Sequence, residues 1–218
     1  MKKFLKSVPG YGWAAAVIWL GLNCSVYYGT RLLPEDVVRH GVALPLDGSI
    51  PLVPWMIVIY ILAYFFWGIS YLRIAQQERN AVWRFFIGAY IAKIICLICF
   101  LAYPTAMERP EVVGSYIFSS ITCLIYRLDA PNNLFPSIHC LESWLCFRGL
   151  NRIPEIPRWK KLGALIFALL VCASTVLVRQ HFLLDIPSGI LAGEIGLAVS
   201  GFIWKKEKMG ESNDDWFL

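Results

Sequence analysis

LVPWMIVIYILAYFFWGISYL, residues 52–72, contains no charged side chain. A helix crossing a bilayer needs roughly 20 apolar residues, because the hydrocarbon offers no partner to a backbone N–H or C=O. This stretch meets that requirement by itself and sets the class of the whole chain. Outward from it, the runs 12–32, 82–103, 162–178 and 186–204 repeat the pattern. A further run, 137–150, is short and carries Glu142; it counts as a crossing because its neighbours demand one. The sequence predicts an all-α integral membrane protein, a bundle of six transmembrane helices. One membrane-embedded domain over 1–209 is followed by a polar tail over 210–218, and ordered loops or short helices around 111–128 cover one face.

Composition points the same way. Hydrophobic residues make up 58% of the 218 and charged residues 16%, unlike the balance of a soluble domain. The start, with Lys2, Lys3 and Lys6 ahead of an apolar run to Cys24, imitates a secretory signal. Leu22 and Asn23 are too large for a cleavage site, and the run is read as a retained first helix. Fourteen of the 20 Lys and Arg lie before span one, between spans two and three, between four and five, and after six. The cation-rich side is expected to be cytoplasmic. Both termini are then inside, and Arg109, His139, His181 and Asp185 share the extracytoplasmic face of a plasma (cell) membrane protein. The net charge of +5 is thus an orientation signal; no basic, aromatic-interleaved patch for nucleic acid is present. The seven cysteines lie mostly inside apolar runs and read as packing. With no metal-ligand spacing and no Gly-rich phosphate loop, neither metal nor cofactor is expected.

The chain has three histidines, and two of them stand where an apolar run meets water. In Pro136-Ser137-Ile138-His139 the proline favours a helix start near Phe135. The free N–H groups and positive dipole end of such a start seat an anion such as phosphate. Ser137 could add a hydroxyl and His139 could pass a proton. Alone, His139 would be no more than an interfacial cap. In His181-Phe182-Leu183-Leu184-Asp185 the carboxylate follows four residues after the imidazole. Pro187 biases Ile186 away from helix, which places Asp185 at the entry to the last span. A carboxylate on one imidazole nitrogen sets the tautomer and leaves the other nitrogen free to attack. Arg109, after span three on the same side, could grip phosphate oxygens in a bidentate manner. Lys93 in mid-span and Glu142 one turn inward from His139 are expected to pair, since intramembrane charges are costly.

These residues resemble the three signature motifs of the phosphatidic-acid phosphatase type 2 superfamily: Arg109-Pro110, then Pro136-Ser137-Ile138-His139, then His181 with Asp185. Order, spacing and span layout are similar from Leu52 to Trp204. The resemblance implies a membrane enzyme that needs no metal and works through a phosphohistidine. It implies His181 as nucleophile, Asp185 as its orienting partner, His139 as acid to the leaving oxygen, and Arg109 and Ser137 as phosphate ligands. Two family cations are absent, because Ala102 stands where a lysine is usual and Thr175 follows Ser174 where an arginine is usual. Arg179 or Arg127 would have to replace one. The stretch Tyr126 to His139 is similar to the branch containing inositol-phosphorylceramide synthases, which pass the phosphoryl group to an alcohol. The expected substrate is a lipid phosphate or phospholipid in the membrane. The activity is that of a lipid phosphatase or, nearly equally, a lipid phosphotransferase; a non-catalytic lipid-binding relative is the third reading. Fewer cations argue for a singly charged diester over a doubly charged monoester.

Overall fold

The computed structural model describes residues 5–34, 36–113 and 116–214, with side chains for all of these except Arg31 and 206–214. Seven α-helices are described: α1 Gly10–Gly29, α2 Ile57–Ala75, α3 Arg79–Ala102, α4 Ile117–Leu128, α5 Ile138–Asn151, α6 Arg158–Leu177 and α7 Asp185–Asp214. The described residues form no strand, only isolated bridges between His40 and Thr105 and between Ala106 and Asn132. Prolines stand at several helix starts, Pro9 before α1, Pro54 in the turn before α2 and Pro157 before α6. A missing N–H costs nothing there.

Four helices are long and apolar enough to cross a membrane: Pro54–Ala75, Arg79–Ala102, Arg158–Leu177 and Asp185–Lys205. They match four of the six expected crossings. The other two differ in kind. α1 has 20 residues, but Asn23, Ser25, Tyr27 and Tyr28 dilute its apolar character. α5 has 14 residues, about 21 Å at 1.5 Å per residue, against a hydrocarbon thickness of about 30 Å. Other helices, not lipid, meet most of its surface: eight of its 14 residues are buried, Glu142 among them. α4 is a short amphipathic helix within 111–128, where ordered loops or short helices are expected. Residues 210–214, expected in the tail, continue α7; Lys2, Lys3 and 215–218 lie outside the described residues.

α5 is the pivot, packed between α2, α6 and α7. α3 lies against α7 through glycines. A Cβ added to Gly196 would stand 2.2 Å from the Gly88 carbonyl oxygen, so the two backbones touch as small-residue membrane interfaces allow. Gly189 brings the start of α7 equally close to α5, with an added Cβ 2.5 Å from Ser137 O. Within the core, Lys93 Nζ on α3 meets Glu142 Oε1 on α5 at 2.5 Å, and both side chains are buried. Asn23 of α1 accepts from Lys93 at 2.7 Å, while Tyr71 of α2 and Trp19 of α1 donate to Glu142 Oε2 at 2.5 and 3.2 Å. The expected pair is therefore the centre of a four-helix polar knot, an ion pair flanked by hydrogen bonds from Tyr71 and Trp19 and to Asn23.

Loops close the end of the bundle that carries the histidines. His40 N–H donates to Pro104 O at 2.9 Å, Ala106 N–H to His40 O at 3.1 Å and Asn133 N–H to Thr105 O at 2.8 Å. Three chain segments distant in sequence are thus laced together over the starts of α5 and α7.

Candidate active site

Ser137 is the N-cap of α5, and its Oγ accepts from Cys140 N–H at 3.3 Å. The helix therefore starts at Ile138, two residues after Pro136 and three after the expected start near Phe135, with His139 in its first turn. Thr105 holds the approach: its hydroxyl oxygen accepts from Leu134 N–H at 2.8 Å and from Phe135 N–H at 3.2 Å. Ser137 N–H donates to Asp185 O at 3.2 Å. That bond fastens the first histidine cluster directly to the second. His139 itself is buried under aromatic rings, stacked on Tyr60 at 4.1 Å between centroids and flanked by Trp67 at 5.0 Å and Tyr64 at 5.5 Å. Its Nε2 is buried with no hydrogen-bond partner among the described residues.

The second cluster is built on the end of α6. Arg179 N–H donates to Val176 O at 3.0 Å and Gln180 N–H to Thr175 O at 2.9 Å, the paired bonds of a Schellman cap. Arg179 occupies the left-handed position with φ 52°, where glycine is usual. Its guanidinium offsets the strain by donating to Asp47 O at 2.7 Å and to Ile50 O. Asp47, buried, returns the favour further along: its carboxylate accepts from Leu183 N–H at 2.9 Å and from Leu44 N–H at 2.7 Å. The 44–50 loop thereby clasps the segment around His181 from both sides.

His181 Nδ1 lies 3.1 Å from Asp185 Oδ2, which also accepts from Phe182 N–H at 2.9 Å. Donation of Nδ1–H to the carboxylate leaves a lone pair on Nε2. Burial disfavours the imidazolium of His181, but the bond to Asp185 and its charge outweigh burial and raise the pKa above the ordinary histidine value. Asp185 is fully buried in the first turn of α7, where the positive end of the helix dipole favours a carboxylate.

The structure brings His139, His181 and Asp185 together. The rings of the two histidines are 6.2 Å apart between centroids and inclined at 57°. Both line a small cavity of about 30 Å³ with Tyr27, Asp129, Asn132, Asn133 and Gln180 and with the apolar Ala130, Leu134 and Ile138. The three expected phosphate ligands are placed differently. Ser137 is wholly buried as the cap. Arg179 is committed to the 44–50 loop and is not brought to the cavity. Arg109 stands directly behind the lining: it donates to Tyr126 O at 3.2 Å, to Asp129 O at 2.6 Å and to Gln180 Oε1. Its ion faces the Tyr126 ring at 4.7 Å, and burial lowers its pKa. Arg127 is exposed.

Sequence reading missed Asp47, Thr105, Asp129 and Gln180. Of these, Gln180 was the most findable, since it directly precedes the nucleophile candidate. Asp47 and Thr105 reach the site only through loop closure. Among the described residues no group of three or more His, Cys, Asp and Glu could hold a metal ion.

The family model described as PAP2 superfamily matches residues 81–208, more than half of the chain. The matched segment runs from the start of α3 into the last part of α7 and includes Arg109, Ser137, His139, His181 and Asp185. Comparison with curated proteins and with solved structures gives no match.

Proposed function

Because the chain belongs to the PAP2 superfamily, a membrane family of lipid phosphatase or phosphotransferase type, we propose that it cleaves a lipid phosphate through a phosphohistidine. The observation that best supports this reading is the histidine pair: a His181 ring backed by a buried carboxylate shares one small cavity with His139, 6.2 Å away between centroids. His181 Nε2 attacks phosphorus in line, and the bond from phosphorus to the leaving lipid oxygen breaks. His139 gives that oxygen its proton. In the second half, water or an alcohol attacks phosphorus, the phosphorus–nitrogen bond breaks, and the incoming proton passes to His139. Positioning and charge stabilisation supply the rate in such transfers.

The same reading has all six helical runs crossing the bilayer, with α5 sheltered by its neighbours. The termini are cytoplasmic and the site faces the extracytoplasmic leaflet of the plasma membrane, where lipid headgroups reach it. A phosphotransferase is the second reading. It is favoured by the charge of the cavity lining, which holds Asp129 and neither lysine nor arginine.

The test incubates the purified full chain in lipid vesicles with labelled phospholipids, with and without alcohol acceptors. Inorganic phosphate released without acceptor supports the phosphatase, and a new phosphodiester formed only with acceptor supports the transferase. Turnover that persists in His181→Ala, or none in the unaltered chain, sinks the phosphohistidine reading.

A further inference from the structure

The carboxamide of Gln180 is 1% exposed and lies between Arg109 and the cavity. Its orientation follows from donor chemistry. A guanidinium can only donate, so the atom facing Arg109 Nη2 is the oxygen, Oε1. The NH₂ group therefore turns away from the arginine. Nε2 is buried with no hydrogen-bond partner among the described residues. A buried donor without an acceptor is destabilising, and in a native fold it calls for a partner from outside the chain, an ordered water or a ligand; beside two histidines on a cavity, a ligand is the partner to test.

The surroundings say which ligand. His139 and His181 share the lining with Gln180, and no lysine or arginine joins them. Asp129 does, held by the phenols of Tyr27 and Tyr60, the latter at 3.3 Å. A carboxylate in the lining discourages a doubly charged phosphate, and a neutral amide asks for less charge than an ammonium would. Arg109, one bond behind, polarises the amide through Oε1 and keeps its own charge out of direct contact.

We propose that Gln180 Nε2 is a phosphoryl-oxygen ligand of this site, standing in for the family cations absent at Ala102 and Thr175, and that it selects a singly charged phosphodiester headgroup. The proposal rests on the phosphoryl-transfer reading for the identity of the ligand but not on turnover, so binding can test it separately.

The probes are dihexanoyl phosphatidylmethanol, a diester, and dihexanoyl phosphatidate, the monoester that differs by one methyl group and one charge. Binding is measured by calorimetry at pH 8 on the full chain in detergent, in a His181→Ala background that cannot form the covalent intermediate. Gln180→Glu keeps an oxygen for Arg109 and replaces the free donor with an acceptor. If Gln180 only anchored Arg109, that change would be harmless. The expected result is a loss of at least tenfold in diester affinity with thermal stability retained, and a parent that binds the diester more tightly than the monoester. Gln180→Met, similar in length and without a donor, should lose the same affinity and serves if the glutamate variant fails to fold. Diester affinity within threefold of the parent in the folded variants overturns the ligand role. Tighter binding of the monoester by the parent overturns the substrate class. A Gln180-dependent affinity in a chain that shows no turnover leaves this assignment standing and removes only the catalytic reading.

Discussion

At the scale of single residues, the nucleophile candidate is defined by two opposed forces. Burial of His181 disfavours its charged form, and the hydrogen bond and charge of Asp185 favour it more strongly. Attack requires the neutral ring, so activity should rise with pH as His181 loses its proton. The acid limb of kcat/KM should then lie above the ordinary histidine value of about 6.5. In Asp185→Asn burial still disfavours the imidazolium, while the two strongest influences favouring it, the hydrogen bond and the charge of Asp185, are lost. The residual activity, expected to fall by roughly 10²-fold or more by analogy with other oriented imidazoles, should show its acid limb at lower pH than the parent. A limb that stays in place would mean that a group other than His181 titrates. Stability is linked with a definite sign. A pKa raised by folding contributes stability that is fully present below the unfolded value and is lost as pH rises through the folded one. The parent should therefore lose thermal stability relative to Asp185→Asn across that window, a trend that unfolding curves at several pH values can check.

At the scale of elements, α5 shows how a helix too short and too polar for lipid can sit at the centre of a membrane bundle. Its Glu142 is met by Lys93 from α3, Tyr71 from α2 and Trp19 from α1, so one carboxylate joins four helices directly beneath His139. A buried pair of this kind contributes little net stability over a well-packed apolar pair, but removing one partner strands a charge. Lys93→Met should cost about 3–5 kcal/mol by that argument. Lys93→Met with Glu142→Gln removes both charges and leaves an acceptor for Tyr71, and it should recover most of the loss. Denaturant unfolding in detergent micelles measures both. If the double variant is as unstable as the single one, the knot is held by packing and not by charge compensation. Because α5 also carries His139 in its first turn, the single variant should lose activity together with stability.

At the scale of the whole molecule, legibility in the sequence follows the range of the interactions. The apolar runs behind α2, α3, α6 and α7 declare themselves through local composition, and the structure has each as a helix able to cross. The convergence of His139, His181 and Asp185 was legible because histidine is rare here and proline marks a helix entry. The Lys93–Glu142 pair was legible because charges in apolar runs need partners. The clasp of Asp47 on Leu183, the Thr105 bonds to Leu134 and Phe135, and the unpaired amide of Gln180 were hidden. Each depends on loop closure between segments that no periodicity relates. The present partners of Arg179 and Ser137, a loop brace and a helix cap, were hidden in the same way. Orientation in the bilayer is a property of the entire chain, read from the bias of cations toward one set of loops. In a background without native cysteines, Val113→Cys, 86% exposed near the histidine end, should react in intact cells with a membrane-impermeant maleimide. Trp159→Cys, 70% exposed at the start of α6, should react only after permeabilisation. The reverse pattern would place the histidine pair in the cytoplasm, and the lipid leaflet supplying its substrate would then be the inner one.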